Sequence, residues 1–369
     1  MRIAFDLRRI GNLGVGRYMA CLVNAIVEQA PQHKYVFIMA PGTERLLSST
    51  AHGQVIVSSA AYYSVTEQFA IPMILRKYKA DLLHALHFVV PIVKVCPTVV
   101  TIHDAIHFVY PEDLPSWKGR IYAKTMMKAA GFIADRILTV SEYSKADIVR
   151  YLGVDPKKIV VTHSILDKRF LAAQNAASLR RVKQRLGVTG DFILYVGIFR
   201  ARKNHFGLLD AFAVLRGTGV RIQLVIAGPL GDGEKLLRDR AARLGVEKDV
   251  VFAGFVPDED LPSLYAAAKT YVCPSLYEGF GQTLIEAMAC GTPVASHRGS
   301  SLPEVCGNAA LFANANDPVE FAAQLRWSIE DTNLRSVLIE RGHENAARFN
   351  AEKIAQRTLR VYSDMLAKR

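Results

Sequence analysis

Short apolar runs rich in Val, Ile and Phe alternate along the chain with longer stretches whose apolar residues recur every three or four positions. The first pattern predicts buried β-strands and the second predicts amphipathic helices. The alternation runs through the first half and begins again at "FILYVG", residues 192–197. Strands that alternate with helices of roughly 10 to 15 residues predict mostly parallel sheets built from β–α–β units. The pattern therefore predicts an α/β protein with two doubly wound domains, facing each other across a cleft.

The strands expected in the first half are "RIAFDL", "KYVFIMA", "QVIVSS", "DLLHAL", "TVVTIHD", "RILTVS" and "KIVVTHS". In the second half they are "FILYVG", "RIQLVIAG", "DVVFAGF", "TYVCPS" and "TPVASH". Helices are predicted over 16–30, 65–79, 117–134, 144–152, 205–216, 233–244, 259–268 and 281–290, with an all-helical tail from Asp317. The polar stretch "QNAASLRRVKQRLGVTGD" is predicted to join the domains, which gives limits of 1–170 and 171–350.

The positive charge of the chain is concentrated in its first half. The 369 residues carry a net charge of +12. Residues 1–185 have 25 Lys and Arg against 13 Asp and Glu, whereas residues 186–369 have 21 of each. The asymmetry predicts an anionic partner for the first domain, such as a membrane surface or a phosphate-bearing acceptor, with lysines kept for solubility as the alternative. No aromatic-and-basic RNA signature or zinc spacing supports nucleic acid.

The cysteines and the apolar stretches predict a cytoplasmic protein. Five cysteines without a Cys-x-x-Cys pair favour reduced thiols. The opening "MRIAFDLRR" is typical of a strand rather than a signal peptide, and no apolar run is long enough to cross a bilayer.

A glycine loop, "GNLGVGRY" from Gly11 to Tyr18, follows the first predicted strand and opens a helix. Such a loop offers backbone N–H groups to an anion, so Gly14 and Gly16 are candidates for contact with a phosphate or sugar. A dinucleotide fingerprint would need a third glycine where Met19 stands, and no acidic residue ends the second strand. A structural turn remains the alternative.

In "VTIHDAIH", His103 and Asp104 end an apolar strand. The histidine is expected to hydrogen-bond a substrate hydroxyl, with Asp104 fixing its ring. A metal site would need further ligands; His107 is near, but no recognised spacing is present. A structural pair is the remaining interpretation.

The loop "VGIFRARKNH" places Arg202 and Lys203 after a strand and before a helix. A guanidinium fork beside a mobile ammonium suits a diphosphate, and a solvated basic turn is the alternative.

A lone carboxylate, Glu286, lies within the apolar run of residues 283–289. A buried carboxylate is costly unless it is hydrogen-bonded. Upstream, "LYEGFG" carries Glu278 and turns the chain into a helix whose first N–H groups, from Gly281 to Leu284, lack helical partners and could bind phosphate. Vicinal hydroxyls are natural partners for both carboxylates. We therefore predict that Glu286 binds a ribose and Glu278 the transferred group.

The block "PSLYEGFGQTLIEAMACGTPVASHRGSSLPEVCGNAALF" resembles the signature of retaining GT-B glycosyltransferases of the family-4 type. "GVGRY", "TIHD" and "RKN" match in the same order, and the combination is most similar to mannosyltransferases. The resemblance implies two Rossmann-like domains, with a nucleotide-sugar donor in the second and a saccharide or lipid-linked acceptor in the first. It implies no metal or other cofactor. It also implies that a final helix near 351–369 packs back on the first domain.

The resemblance implies roles for the matching residues. Arg202 and Lys203 would stabilise the leaving diphosphate, and His103 and Glu278 would contact the donor sugar. Attack would occur at the front face, without a protein nucleophile. Donor contacts are expected from Gly14, Gly16, Gly279, Phe280, Gly281, Gln282, Thr283, Leu284 and Glu286, with the base near Phe255 and Val256. Two departures are Ile198, where many relatives carry Arg, and Gln282-Thr283-Leu284 beside the sugar.

The resemblance favours mannose from GDP-mannose as the donor, with a UDP-sugar next. A sugar-nucleotide 2-epimerase and a non-catalytic sugar-nucleotide binder are the other interpretations. The basic stretch 116–132 mixes cations with Trp117, Ile121, Tyr122, Met126 and Met127, which is typical of a helix lying on anionic lipid. Peripheral membrane association is therefore a hypothesis, with an ordinary surface helix as the alternative.

Overall fold

The computed structural model describes residues 1–12, 14–114 and 116–367. The chain forms two compact units: residues 1–165 together with the C-terminal segment from Phe349, and Leu166–Arg348. The first unit thus ends five residues before the predicted limit of 170. The reason is Phe170, which is fully buried and packs edge-on against Tyr265 of the second unit, at 5.9 Å between ring centroids.

The first unit contains a parallel sheet with strand order β3-β2-β1-β4-β5-β6-β7. Its strands, among the described residues, are β1 Arg2–Asp6, β2 Lys34–Met39, β3 Gly53–Val57, β4 Leu82–Ala85, β5 Thr98–Thr101, β6 Arg136–Thr139 and β7 Ile159–Val161. The central strands are buried on both faces, which explains their unbroken apolar runs.

The helices that follow these strands are α1 Val15–Gln29, α2 Glu67–Lys77, α3 Ile106–Val109, α4 Trp117–Ile133 and α5 Glu142–Leu152. The buried face of α4 includes Met126 and Met127, whereas Trp117 and Ile121 are exposed. The two methionines were expected on a lipid-facing surface, and that expectation is wrong because both pack into the core. Only the exposed residues of α4 remain candidates for contact with lipid.

The second unit contains a parallel sheet with strand order β10-β9-β8-β11-β12-β13. Its described strands are β8 Phe192–Val196, β9 Gln223–Ala227, β10 Val250–Gly254, β11 Thr270–Cys273, β12 Val294–His297 and β13 Ala310–Ala313. The helices are α6 Ala176–Arg185, α7 His205–Gly217, α8 Gly233–Arg243, α9 Leu261–Ala267, α10 Gln282–Ala289, α11 Leu302–Cys306, α12 Pro318–Glu330 and α13 Thr332–Ala346. The predicted α/β class with two doubly wound parallel sheets is confirmed.

The last helix, α14 Ala351–Leu366, belongs to the first unit and packs against α1. Asn350 caps it by accepting from the N–H groups of Glu352 and Lys353. Its Tyr362 hydroxyl lies 2.6 Å from Nδ1 of His84, whose Nε2 lies 2.8 Å from Oγ1 of Thr101. This buried chain of hydrogen bonds joins α14 to β4 and β5. The predicted helix extended to residue 369, and residues 368 and 369 lie outside the described residues.

Among the described residues, no helix is both long enough and apolar enough to span a membrane.

Candidate active site

Two loops of the second unit meet at the carboxyl end of its sheet, where parallel α/β sheets bind ligands. One loop follows β8 and the other follows β11, and these strands are neighbours in the sheet. The N–H of Leu276 donates to the carbonyl of Arg202 at 2.8 Å, and Arg202 Nη1 donates to the carbonyl of Tyr277 at 3.2 Å. These bonds fix the position of the basic loop relative to the acidic one.

The joined loops bring three charged side chains together. Lys203 Nζ donates to Glu278 Oε1 at 2.5 Å, and Arg202 Nη1 lies 3.5 Å from Glu278 Oε2. The side chains of Arg202, Lys203 and Glu278 are 12, 16 and 14% exposed, so the group is largely removed from water. Burial by itself raises the pKa of Glu278, but the charges of Lys203 and Arg202 outweigh it and hold the pKa below its usual value. Glu278 is therefore ionised at neutral pH.

Asn204 fixes the backbone that carries the two cations. Its φ of 51° is left-handed, a conformation that asparagine tolerates better than most residues. As the N-cap of α7 it accepts from the N–H of Gly207 at 3.3 Å, and its Nδ2 donates to the carbonyl of Ala315 at 2.9 Å. The asparagine of the "RKN" sequence thus has a structural role that sequence analysis did not assign.

Two serines hold the backbone of Glu278. Its N–H donates to Ser300 Oγ at 3.1 Å, and Ser301 Oγ donates to its carbonyl at 2.8 Å. Both serines lie in "HRGSS" after β12, and Ser300 has a φ of 55°. Sequence analysis assigned no role to either serine, although polar residues shortly after a buried strand could have indicated one.

The N-terminus of α10 follows directly after the acidic loop. Gly281 has a φ of 97°, and a Cβ there would lie 2.7 Å from Leu284 Cδ1, so the turn requires glycine. The N–H of Leu284 was expected to be available to a ligand, but it donates to the carbonyl of Gly281 at 3.0 Å. That expectation is wrong because the first turn of the helix is tight and the Leu284 side chain is fully buried.

The other predicted donor residues surround this turn. Gly279 and Phe280 are buried beside it, and Gln282 and Thr283 are partly exposed on its first helical positions. Val256 is buried after β10, and the neighbouring Phe255 is 63% exposed. Phe255 therefore offers an open aromatic face, whereas Val256 can contribute chiefly through its backbone.

Glu286 is 1% exposed on α10 and has a protein partner. The hydroxyl of Tyr265 donates to its Oε2 at 3.0 Å. Burial raises the pKa of Tyr265 well above its usual value, so this hydroxyl keeps its proton. Burial and the charge of Glu286 also raise the pKa of the nearby Cys290 thiol to about 12. The free-energy cost of burying this carboxylate is thus offset in part by the hydrogen bond from Tyr265.

Tyr195 is a further polar residue that sequence analysis missed. Its hydroxyl is buried and has no hydrogen-bond partner in the part of the chain that the structure describes. A Cβ at Gly197 would lie 2.4 Å from this oxygen, so the glycine permits close packing under the basic loop. Burial, then the charges of Cys273 and Glu278, raise the pKa of Tyr195. Tyr195 is therefore an uncharged donor close to the ion cluster.

His103 lies half-buried in the first unit, after β5. Its Nε2 lies 3.3 Å from the carbonyl of Leu86, and its ring is edge-on to Tyr18 at 4.8 Å. Asp104 was expected to fix this ring, but its Oδ1 accepts from the N–H of Ile106 at 3.0 Å. That expectation is wrong because Asp104 closes the turn that starts α3. Burial lowers the pKa of His103, although the charge of Asp104 opposes this, so the ring is neutral at pH 7.

The glycine loop has a clear structural function. Gly14 precedes α1 with a φ of 71°, and a Cβ at Gly16 would lie 2.0 Å from the carbonyl oxygen of Ile10. The N–H of Gly16 was expected to face a ligand, but it donates to the carbonyl of Asn12 at 2.8 Å. That expectation is wrong because the turn itself uses this donor. Leu13 of the loop lies outside the described residues.

The described residues hold no cluster of three or more His, Cys, Asp or Glu side chains placed to bind a metal ion. Of the predicted site residues, Arg202, Lys203 and Glu278 are in direct contact. The loop that carries Glu278 leads into α10, which carries Glu286. His103, Gly14 and Gly16 belong to the other unit.

Two family profiles match the chain. The profile described as "Glycosyl transferases group 1" matches residues 179–345, and "Glycosyltransferase Family 4" matches residues 13–169. The chain is 32% identical over 365 residues to the O-antigen chain mannosyltransferase B of Escherichia coli, with 95% of each chain covered.

Solved structures share the fold. Anabaena Alr3699/HepE in complex with UDP-glucose matches with a TM-score of 0.81 and 21% identity, over 99% of this chain and 100% of that chain. The sucrose-phosphate synthase of Thermosynechococcus elongatus matches with a TM-score of 0.81 and 21% identity over the whole of both chains.

Proposed function

This chain belongs to the group 1, family 4 glycosyltransferases, and on that premise we propose that it transfers mannose from GDP-mannose to a saccharide or lipid-linked acceptor. The product is a cell-surface polysaccharide or glycolipid. The mannosyl donor is supported by the similarity to the O-antigen chain mannosyltransferase B of Escherichia coli. The observation that carries the proposal is the largely buried cluster of Arg202, Lys203 and Glu278 at the end of the second sheet.

Arg202 and Lys203 are proposed to bind the donor diphosphate. Glu278 accepts a hydrogen bond from Lys203 and neutralises much of its charge. A diphosphate carries more negative charge than one carboxylate, so it competes for both cations when it binds. The cations then stabilise the charge that develops on the leaving group, in a site that excludes most water.

Glu278 is proposed to orient the donor sugar and not to attack it. As the diphosphate engages the two cations, the carboxylate of Glu278 becomes an acceptor for sugar hydroxyls. In the reaction, an acceptor hydroxyl oxygen forms a bond to the anomeric carbon from the side on which the bond to the phosphate oxygen breaks. The hydroxyl proton passes to that departing phosphate oxygen, and the anomeric configuration is retained.

Glu286 is proposed to bind the donor ribose. A carboxylate can accept about four hydrogen bonds, so it can accept from both ribose hydroxyls in addition to Tyr265. His103, neutral at pH 7, is proposed to contact the sugar. A UDP-sugar is the alternative donor, because the proposed contacts to the diphosphate and ribose do not depend on the base.

The test is the thermal stability of the protein with GDP, UDP, ADP and dTDP, since a ligand that binds only the folded state raises stability with concentration. We expect GDP to stabilise the wild type and Glu286→Ala to lose most of that shift. Glu330→Ala, an exposed carboxylate on α12, is the matched control and should keep it. If no nucleotide stabilises the wild type, the donor proposal is wrong.

Retention is tested separately, by determining the anomeric configuration of the product with NMR.

We also propose that the enzyme acts at the cytoplasmic membrane surface. Trp117 and Ile121 are 66 and 58% exposed on α4, among Lys118, Lys124 and Lys128. Exposed apolar side chains beside cations favour anionic lipid. Trp117→Ala should reduce co-sedimentation with phosphatidylglycerol vesicles at low salt. Trp327→Ala, with 54% exposure in the second unit, should not; equal loss in both variants contradicts the role of α4.

A further inference from the structure

A pocket of about 420 Å³ opens on the first unit, lined by residues that follow the carboxyl ends of β1, β2 and β3. The residues that matter here are Arg8, Arg9, Asn12, Tyr62 and Tyr63. None of these five side chains has been assigned a role in donor binding, although Asn12 lies in the glycine loop. The pocket therefore needs its own explanation.

The floor of the pocket is a fixed, buried ion group. Arg8 Nη2 lies 2.6 Å from Asp6 Oδ2 and 3.1 Å from Glu67 Oε2, and the three side chains are at most 4% exposed. The guanidinium of Arg8 lies 4.4 Å from the Tyr62 ring centroid. Glu67 Oε1 also accepts from the N–H of Tyr63, at 3.1 Å. Arg8 Nη1 also donates to the carbonyl of Ala60 at 3.1 Å, so the donors of Arg8 are taken up within the protein.

Arg9, in contrast, has only neutral partners among the described residues. Its Nη1 donates to the Tyr63 hydroxyl at 3.0 Å, and its guanidinium lies 5.2 Å from the Tyr62 ring centroid. Among the described residues, no carboxylate forms an ion pair with Arg9. The amide of Asn12 is best satisfied with its oxygen toward Arg9, where it accepts from Nε at 3.0 Å and Nη2 at 2.7 Å. The exposed, neutral amide of Asn12 therefore accepts from both Nε and Nη2 on one edge of the half-buried Arg9 guanidinium.

That arrangement suits exchange of the amide for an anion. Nε and Nη2 form the edge of arginine that binds two oxygens of one phosphate or carboxylate, and charge-assisted bonds are roughly twice as strong as neutral ones. Asn12 is exposed, so its side chain can rotate away from Arg9. Tyr62 and Tyr63 line the same pocket and are partly exposed, so they can contact a sugar next to the anion.

We propose that this pocket binds a phosphoryl group attached to the acceptor saccharide, with two of its oxygens on Nε and Nη2 of Arg9. The inference rests on the proposed function in one respect, since it takes the bound molecule to be the acceptor. The surplus of basic residues in the first half of the chain supports an anionic ligand. Burial and the nearby charge of Arg9 both lower the pKa of His103, so Arg9 lies within electrostatic reach of that residue.

The direct test uses inorganic pyrophosphate and calorimetry. Because the donor site could also bind this probe, every variant carries Lys203→Ala. In that background we expect Arg9→Gln to weaken pyrophosphate binding about 10- to 100-fold. Arg45→Gln removes one exposed charge from the same unit and should leave binding unchanged. Equal affinity in the Arg9→Gln and Arg45→Gln proteins overturns the proposal.

Arg9→Lys separates the effect of the paired Nε and Nη2 hydrogen bonds from the effect of the charge. It also provides a second variant if Arg9→Gln does not fold. Lysine keeps the charge but cannot form the paired bonds, so most of the affinity should still be lost. If Arg9→Lys binds pyrophosphate as well as arginine does, the paired geometry is wrong.

Acceptor kinetics distinguish a lipid-linked source from a free one. The probes are one saccharide in three forms: unmodified, as the phosphate monoester, and linked through diphosphate to an alkyl chain. Arg9→Gln should raise KM for the phosphorylated probes about tenfold or more and leave KM for the unmodified saccharide unchanged. A rise confined to the alkyl-linked probe identifies a lipid-linked acceptor, whereas a rise for both identifies the phosphoryl group alone. If KM rises for neither phosphorylated probe, the proposal is overturned. The proposed function is tested independently, by the nucleotide stabilisation that depends on Glu286.

Discussion

Tyr265 on α9 and Glu286 on α10 form a buried pair in which the tyrosine hydroxyl donates to the carboxylate at 3.0 Å. Both side chains are at most 1% exposed. Tyr265 is itself packed edge-on against Tyr271 and Phe170, at 5.4 and 5.9 Å between ring centroids. The orientation of the proposed ribose-binding carboxylate is therefore set by a rigid aromatic neighbour, and Tyr265 acts as a positioning residue.

Tyr265→Phe should both destabilise the protein and weaken nucleotide binding. The change leaves one oxygen of a buried carboxylate without its donor, which costs about 1–3 kcal/mol of unfolding free energy. Loss of the fixed orientation should also weaken nucleotide binding about tenfold. Denaturant unfolding and calorimetry measure the two effects.

The matched control is Tyr35→Phe in the first unit, since Tyr35 is also buried and donates to the carbonyl of Ala30 at 2.6 Å. It should lower stability by about 1 kcal/mol and leave nucleotide affinity unchanged. If Tyr265→Phe behaves in the same way, Tyr265 has no positioning role.

Glu278→Gln should change how stability depends on pH. The pKa of Glu278 in the folded protein lies below its usual 4.5. The stabilisation from its charge is therefore fully present above that value, and it is lost as the pH falls through the folded pKa. Unfolding free energies measured from pH 7 to pH 3 should fall more steeply below pH 4.5 in the wild type than in the variant. Parallel curves would mean that the ion cluster does not stabilise the fold.

Asn204→Ala and Asn204→Gly separate two functions of one residue. Alanine loses the cap of α7 and must also adopt a φ of 51°, so it should cost about 2 kcal/mol. Glycine loses the cap but accepts the angle, and it should cost a few tenths of a kcal/mol. Both should reduce the catalytic rate, because the loop that carries Arg202 and Lys203 loses its anchor at Ala315. A full rate in Asn204→Gly, measured at saturating substrate, contradicts the anchoring role.

The periodic pattern predicted the two sheets because a buried parallel strand must be apolar along its whole length. It failed at β13, whose residues Ala310–Ala313 are short and partly exposed. It also failed at α6, where the polar sequence of Ala176–Arg185 was interpreted as a linker. Only Val182 of that helix is buried, so too little apolar periodicity was present to detect it.

Within the site, sequence analysis found the charged groups but not what holds them. Arg202, Lys203 and Glu278 were identifiable because charge next to a buried strand has few structural uses. Ser300 and Tyr265 act through contacts between segments far apart in sequence, and a single sequence does not show such contacts. Backbone donors such as those of Gly16 and Leu284 were misassigned because their local hydrogen bonds depend on the exact turn.

His84→Gln should make the protein less sensitive to acid. Burial lowers the pKa of His84 to about 3, whereas the usual value is 6.5. Between these values the unfolded chain binds a proton that the folded protein does not, so the contribution of His84 to stability falls as the pH falls. The wild-type unfolding free energy should therefore decline more steeply than that of the variant, by up to about 1.4 kcal/mol per pH unit.

Because His84 joins α14 to the sheet through Tyr362, acid should also release this helix early. Amides near Ile354 should exchange faster at pH 4.5 than at pH 7 after correction for the intrinsic rate, and His84→Gln should remove much of that difference. His52→Gln is the control, since His52 is exposed in the same unit and should leave both readouts unchanged. If the pH slope of His84→Gln equals that of the wild type, His84 is not the group whose protonation destabilises the first unit.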